Sequence, residues 1–372
     1  MKKIGVCLVS RYPPIKGGTA SGIYWYARTL GSLGIEVHVI TDATGDYRKE
    51  MNEYQPRNVT VHVNKDLAEE IVSVSRNFDI SILDCKYIFP YGIEAKRAKD
   101  VTGLPLVMRH AGSDILKMKS DQNFMKMGID AFKGANLIST SRSMESFFIG
   151  LGIEKGKITH ESGFGINHEF FGPHCKPFGI SELGRSGPVI GLFGKIGRNK
   201  GAEQTVMALS GIGDDYTLLM IPEKNDDNLK NLVKVHGISE KTLITDYRPP
   251  WVMPSIYAAS DIVIAIDTGT HSQNHIPITG IEALNAGVCV VTNEETYNKP
   301  FFSQFVKEEE IWVSKIDDIK SYTDDLASLI SERQKTRQIG LKARSKCAKH
   351  DGKLVARNMI KIYENMVKEW KK

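Results

Sequence analysis

The stretch 262–292, IVIAIDTGTHSQNHIPITGIEALNAGVCVVT, constrains the chain more than any other. It reads as a buried strand, a polar loop, a short helix and a second buried strand. The apolar run Ile262–Ile266 suits a strand covered on both faces, the kind a parallel sheet uses. Thr279, three residues ahead of Glu282, forms a T-x-x-E box that predicts a helix start, and Gly287 predicts its end. Val288–Val291 is the next strand. A loop between a strand and a helix N-terminus is where an open α/β sheet binds anions, because N–H groups and the helix dipole point outward there.

The rest of the chain repeats this alternation. Strands are predicted at Ile4–Val9, Val37–Thr41, Val59–Val63, Ile80–Asp84, Leu106–Met108 and Leu137–Thr140, with helices over 19–33, 66–76, 91–102, 114–133 and 142–151. A second series starts at Val189–Phe193 and continues through helix 201–210, Leu218–Ile221 and Thr242–Thr245. Strictly alternating elements mean parallel sheets with helices on both faces. At 372 residues one core is not expected to suffice. The Gly-, Pro- and Ser-rich stretch Pro173–Pro188 marks the boundary between a domain over 1–175 and another over 186–352. The apolar stripe Val355, Met359, Ile362, Met366, Trp370 marks a last helix.

Several readings fall away on composition. No apolar run approaches membrane-spanning length, and Lys2–Lys3 with Ile4–Val9 imitates a signal peptide only until Arg11, Pro13 and Pro14 end the run. Five scattered cysteines without a C-x-x-C point to reduced thiols and a cytoplasmic setting. The basic segment 333–353 lacks aromatic interleaving, so it reads as a solvated helix face and not as a nucleic-acid site. Met118, Phe124, Met125 and Met127 alternate with Lys117, Lys119 and Lys126; a core stripe with a solvated lysine edge is favoured over a peripheral contact with the inner face of a membrane.

Three loops carry chemistry. Gly194-Lys-Ile-Gly-Arg-Asn-Lys-Gly201 follows the first strand of the second series and places Lys195, Arg198 and Lys200 before a helix, a diphosphate site by charge and dipole. The loop Ser10–Gly18 ends in Gly17-Gly18 but lacks G-x-G-x-x-G; Asp42 after the second strand keeps a dinucleotide reading open at that position alone. Arg109-His-Ala-Gly-Ser-Asp114 follows a strand, as does Asp84, so both deliver polar groups to the functional edge.

These segments together resemble the retaining glycosyltransferases of the GT-B fold, family 4. The stretch Gly280-Ile-Glu-Ala-Leu-Asn-Ala-Gly287 resembles the second half of that family's E-x7-E signature, with Asn274 where the first carboxylate is usual. Lys200-Gly201 resembles the end of R-x-x-x-x-K-G, with Lys195 in the arginine's place, and R-H-A-G-S-D resembles H-G-x-D. Pro13-Pro-x-x-Gly17-Gly18 and Gly165-Ile166-Asn167 with Phe171 also fit, although Phe164 replaces an Asn.

The resemblance implies two facing Rossmann-like doubly wound domains, with a C-terminal helix (353–372) crossing back to the first. It implies transfer of a sugar from a nucleoside diphosphate sugar to a glycan, lipid-linked or small-molecule acceptor, with retention. Lys200, Lys195 and the N–H groups of Ile278, Thr279 and Gly280 would meet the diphosphate. Glu282 would bind ribose hydroxyls, Asn274 would face the sugar, and Gly17 and Gly18 would let the backbone approach the donor. His110 would lie near sugar and acceptor, and Arg248 would stack on the base. With no D-x-D motif and fixed cations in place, no metal and no cofactor are expected. Asn274 keeps three alternatives open: an altered transferase whose donor sugar suits an amide, a catalytically inactive nucleotide-sugar-binding scaffold or partner subunit, and a nucleotide-sugar epimerase.

Overall fold

A computed structural model describes residues 4–43, 55–160, 166–179, 187–224, 226–269 and 277–370. Asn274 and the 162–165 part of the Gly165 motif lie outside the described residues. The chain divides into two compact units, Met1–Ile166 with Gly352–Lys372, and Asn167–Asp351.

The first unit runs β1 (Gly5–Val9), α1 (Gly18–Ser32), β2 (Glu36–Thr41), β3 (Val59–Val63), α2 (Leu67–Asn77), β4 (Ile80–Lys86), α3 (Ile93–Thr102) and β5 (Leu106–Arg109). It continues through α4 (Gly112–Ser120), α5 (Gln122–Gly134), β6 (Leu137–Ser139), α6 (Glu145–Gly150) and β7 (Ile158–Thr159). The strands form one sheet in the order β3-β2-β1-β4-β5-β6-β7, and every pairing is parallel. Chain order reverses between β1 and β4, which opens a crevice at their carboxyl ends. Ile71, Leu83, Met108, Phe132 and Phe148 are among the buried side chains of its core.

The second unit has β8 (Val189–Gly194), α7 (Ala202–Ser210), β9 (Thr217–Pro222), α8 (Asp227–Val235), β10 (Thr242–Ile244), α9 (Met253–Ala258) and β11 (Ile262–Ile264). There follow α10 (Ile278–Ala286), β12 (Cys289–Thr292), the single turn α11 (Glu294–Tyr297), β13 (Trp312–Val313), α12 (Ile319–Ser331) and α13 (Arg333–Cys347). Its parallel sheet has the order β10-β9-β8-β11-β12-β13, with the reversal between β8 and β11. The last helix, α14 (Gly352–Trp370), belongs to the first unit.

Four expectations need correction. The division precedes the Gly/Pro/Ser-rich stretch instead of lying in it. Phe171 is fully buried with its ring 6.0 Å from that of Tyr257, and the Phe178 N–H donates to the Ser255 carbonyl at 2.9 Å, so that stretch begins as part of the second unit. The single helix expected over 114–133 is two, because Asp121 adopts extended backbone and its carboxylate accepts from the N–H groups of Asn123 and Phe124, capping α5. In this pair Met118 is buried and Lys117 lies over the Phe124 ring at 3.8 Å, so lysine edge and aromatic stripe interlock.

The T-x-x-E box does not form. Helix α10 starts at Ile278 after Pro277, whose side chain has no acceptor to cap with, so Thr279 lies inside the helix; the Glu282 carboxylate accepts the Tyr257 hydroxyl. Gly287, in the left-handed region, does end the helix. Finally, 333–353 is more than a solvated face. Arg344 donates to the carbonyls of His168 (3.3 Å) and Phe171 (2.9 Å), fixing the start of the second unit to α13.

Candidate functional site

Three neighbouring strands of the second unit deliver one charged cluster at their carboxyl ends. After β8, a single turn of 3₁₀ helix, Arg198–Lys200, presents Lys200. Gly201 closes that turn with φ +66°, and a Cβ there would stand 2.8 Å from Ile266 Cδ1, so only glycine lets the loop lie on the β11 segment. After β11 comes Asp267, wholly buried. After β12 and α11 comes Lys299, 4% exposed.

Lys200 Nζ donates to Asp267 Oδ1 at 2.5 Å, and Lys299 Nζ donates to Asp267 Oδ2. The Asp267 N–H donates to Thr296 Oγ1 at 2.8 Å, and the Thr268 N–H to the Asn199 carbonyl at 2.9 Å. Burial lowers the Lys200 pKa, opposed by Asp267, while Lys299 and Lys195 lower it further. Lys195 is thus near enough to be felt; it and Arg198 are exposed. The cluster lies at the β8/β11 reversal, where sheets of this type take ligands.

The start of α10 adjoins the same loop, since a Cβ on Gly194 would lie 3.9 Å from Thr279 Cγ2. Of the three N–H groups expected to meet an anion, that of Gly280 donates to the Pro277 carbonyl at 3.1 Å, which narrows the expectation to Ile278 and Thr279. Glu282 is 2% exposed, and its Oε2 accepts the Tyr257 hydroxyl at 2.8 Å. Burial and the Glu282 charge hold that phenol protonated. Arg248 lies 5.7 Å from the centre of the Phe178 ring, so an aromatic ring of the protein already neighbours the guanidinium expected to stack on a base.

In the first unit, Gly17 precedes α1 and Gly18 opens it, at the end of the loop that follows β1. The Ser10 hydroxyl donates to the Lys86 carbonyl at 2.7 Å, tying the β1 and β4 ends together at that unit's own reversal. Asp42, which kept a dinucleotide reading open, accepts the Tyr91 hydroxyl. His110 Nε2 is 2.8 Å from Thr140 Oγ1; burial and then Lys86 push its pKa down to about 4, so the ring is neutral at pH 7. Beside it, burial brings Lys86 down to about 7 and Asp114 up to about 6.

Asp84 and Arg109 are not free at the edge, as their strand-end positions had implied. They form a buried ion pair that the Tyr363 hydroxyl of α14 joins by donating to Asp84, with Tyr26 Oη 2.8 Å from Tyr363 Oη. Asp267 and Lys299 escaped the sequence reading. The local signs are that Asp267 ends the apolar run Ile262–Ile266 and that Lys299 closes a short polar segment after β12. Among the described residues, no cluster of three or more His, Cys, Asp or Glu is placed to hold a metal ion, and no helix is long and apolar enough to cross a membrane.

Two Rossmann-like parallel-sheet units in one chain define the GT-B class of fold. Residues 179–346, in the second unit, match the family model of glycosyl transferases group 1. A curated relative, the 2-deoxystreptamine glucosyltransferase of Streptomyces kanamyceticus, is 30% identical over 121 residues; the match spans 31% of this chain and 29% of that protein.

Among solved structures, Anabaena HepE in complex with UDP and glucose superposes with a TM-score of 0.74 at 14% identity, over 97% of this chain and 100% of that one. Sucrose-phosphate synthase from Thermosynechococcus elongatus does so with a TM-score of 0.70 at 13% identity, over 98% and 99%. At these identities the likeness is one of fold.

Proposed function

We propose that the protein transfers a sugar from a nucleoside diphosphate sugar, held by the second unit, to an acceptor hydroxyl, with retention of anomeric configuration and without a metal ion. One observation carries this reading: Lys200, Lys299 and Lys195 converge at the β8/β11 reversal beside the start of α10. The costly event in such a transfer is departure of the diphosphate as negative charge builds on its oxygens. Cations fixed before the reaction starts stabilise that charge without having to reorganise.

Lys200 and Lys195 take this role, with the Ile278 and Thr279 N–H groups and Arg198 at the rim. Glu282, positioned by Tyr257, binds the donor's ribose. Neutral His110 acts as a hydrogen-bonding group and not as a cation. Asn274 binds sugar hydroxyls through its amide, but it cannot support an oxocarbenium-like centre as a carboxylate would. That substitution favours one second reading, a nucleotide-sugar-binding scaffold without turnover.

A melting-temperature screen against UDP-, GDP-, ADP- and dTDP-sugars selects the donor. NMR of the product formed with an acceptor panel, with and without EDTA, then reads the anomeric configuration. One donor is expected to stabilise the protein and give a product of retained configuration in both conditions. Binding without transfer supports the scaffold, and an inverted product or loss of activity with EDTA overturns the proposed mechanism.

A further inference from the structure

The charge balance around Asp267 bears on how the donor site works, and this inference rests on the function proposed above. A lysine paired one-to-one with a carboxylate is a neutral dipole and attracts an anion weakly. Lys200 donates to one oxygen of Asp267, and Lys299, arriving from the far side of β11, donates to the other. The trio therefore carries one net positive charge. Exposure differs along it: Asp267 is at 0% and Lys299 at 4%, while the Lys200 side chain remains 22% exposed. The excess charge thus meets solvent at Lys200.

Thr296 holds the Asp267 backbone. The Asp267 N–H donates to Thr296 Oγ1 at 2.8 Å, Thr296 Oγ1 donates to Asn293 Oδ1 at 2.6 Å, and the Lys299 N–H donates to the Thr296 carbonyl at 3.1 Å. The turn that carries Lys299 is in this way built onto the residue that Lys299 neutralises.

We infer that Asp267 and Lys299 are positioning residues of the donor site: Asp267 fixes Lys200, and Lys299 cancels the charge of Asp267 so that Lys200 presents an uncompensated cation to the donor's diphosphate. Lys299 need not touch the donor. It acts through Asp267.

Reversal of sign by a second mutation tests this. Lys299→Met leaves Lys200 and Asp267 as a neutral pair, and Asp267→Asn added to it returns the trio to one positive charge. Calorimetric titration with UDP, and with inorganic pyrophosphate as a base-independent probe, is expected to show about tenfold weaker binding to K299M and recovery to within about threefold of wild type in D267N/K299M. Lys230→Met, on the exposed face of α8, is expected to bind as wild type does and controls for net charge. A role in packing alone predicts that the two losses add. A double variant weaker than K299M, or a K299M variant that binds like wild type, overturns the inference.

Should K299M not fold, the double variant decides against wild type: near-equal affinity supports the inference and a tenfold loss overturns it. Wild-type protein that binds neither probe instead overturns the donor site itself, and this inference with it.

Discussion

The Lys200 pKa is held below that of an ordinary lysine. Burial is the largest influence on its pKa, which lies below the ordinary lysine value of 10.5 despite Asp267. The ammonium is the form that meets a diphosphate, so kcat/KM is expected to fall as pH rises through this lowered value, earlier than for an ordinary lysine. Stability runs the other way. Between the lowered value and 10.5 the unfolded chain holds the proton more tightly, so this residue's contribution to folding improves as pH rises.

A pH series of kcat/KM beside urea denaturation checks both signs; activity that persists to pH 10.5 would count against Lys200. Lys200→Ala is expected to lower kcat/KM at least about a hundredfold while the protein still folds, the scale of losing one preorganised charge-stabilising group. Gly280 makes a separate claim about packing. A Cβ there would stand 2.9 Å from Phe302 Cζ and 3.0 Å from Ala265 Cβ, so Gly280→Ala should cost about 1–3 kcal/mol in urea denaturation.

The residues legible in the sequence were those whose neighbours in the chain announced them: Lys200 before Gly201 and a helix, Glu282 inside a strand–helix–strand repeat. Asp267 and Lys299 were not, because their partners lie 67 and 32 residues away along the chain.

At the scale of elements, alternation and apolar runs placed most of the strands of both sheets to within a residue or two, since buried parallel strands are continuous apolar runs. Polar anchors were harder to read. The apolar stripe of the last helix predicted Val355, Met359, Ile362 and Met366 as its inner face. Instead Ala356, Met359 and Tyr363 are buried, a face turned about one residue, and Trp370 is 49% exposed with its Nε1 donating to the Gly103 carbonyl. Tyr363 explains the turn: its hydroxyl reaches the Asp84–Arg109 pair, and Arg109 also stacks 4.3 Å from the Tyr26 ring centre. No periodicity rule anticipates a phenol seeking a buried carboxylate.

This anchor predicts a ranking. Arg109→Met leaves Asp84 buried without its cation and should cost about 3–5 kcal/mol, whereas Tyr363→Phe removes one hydroxyl and should cost about 1–2 kcal/mol. Urea denaturation gives both values, and hydrogen exchange should show α14 loosened in each. The reverse ranking would mean that Arg109 packs in place without neutralising Asp84.

Among the described residues each unit has a hydrophobic core of its own, so calorimetry is expected to resolve two transitions. Every residue proposed to touch the donor's diphosphate through a side chain belongs to the second unit. The Tyr363 network belongs entirely to the first. A ligand stabilises the part that holds it, by about 2.7 kcal/mol at a hundred times its dissociation constant. Tyr363→Phe should therefore lower one transition and leave the other in place, which assigns them. UDP, or the nucleotide diphosphate the screen selects, should then raise the transition that Tyr363→Phe leaves unmoved, and Lys200→Ala should abolish that rise. A nucleotide-driven shift confined to the transition lowered by Tyr363→Phe would put the donor on the other sheet, at the β1/β4 reversal, and with it would go the roles given to Lys200, Lys195 and Glu282.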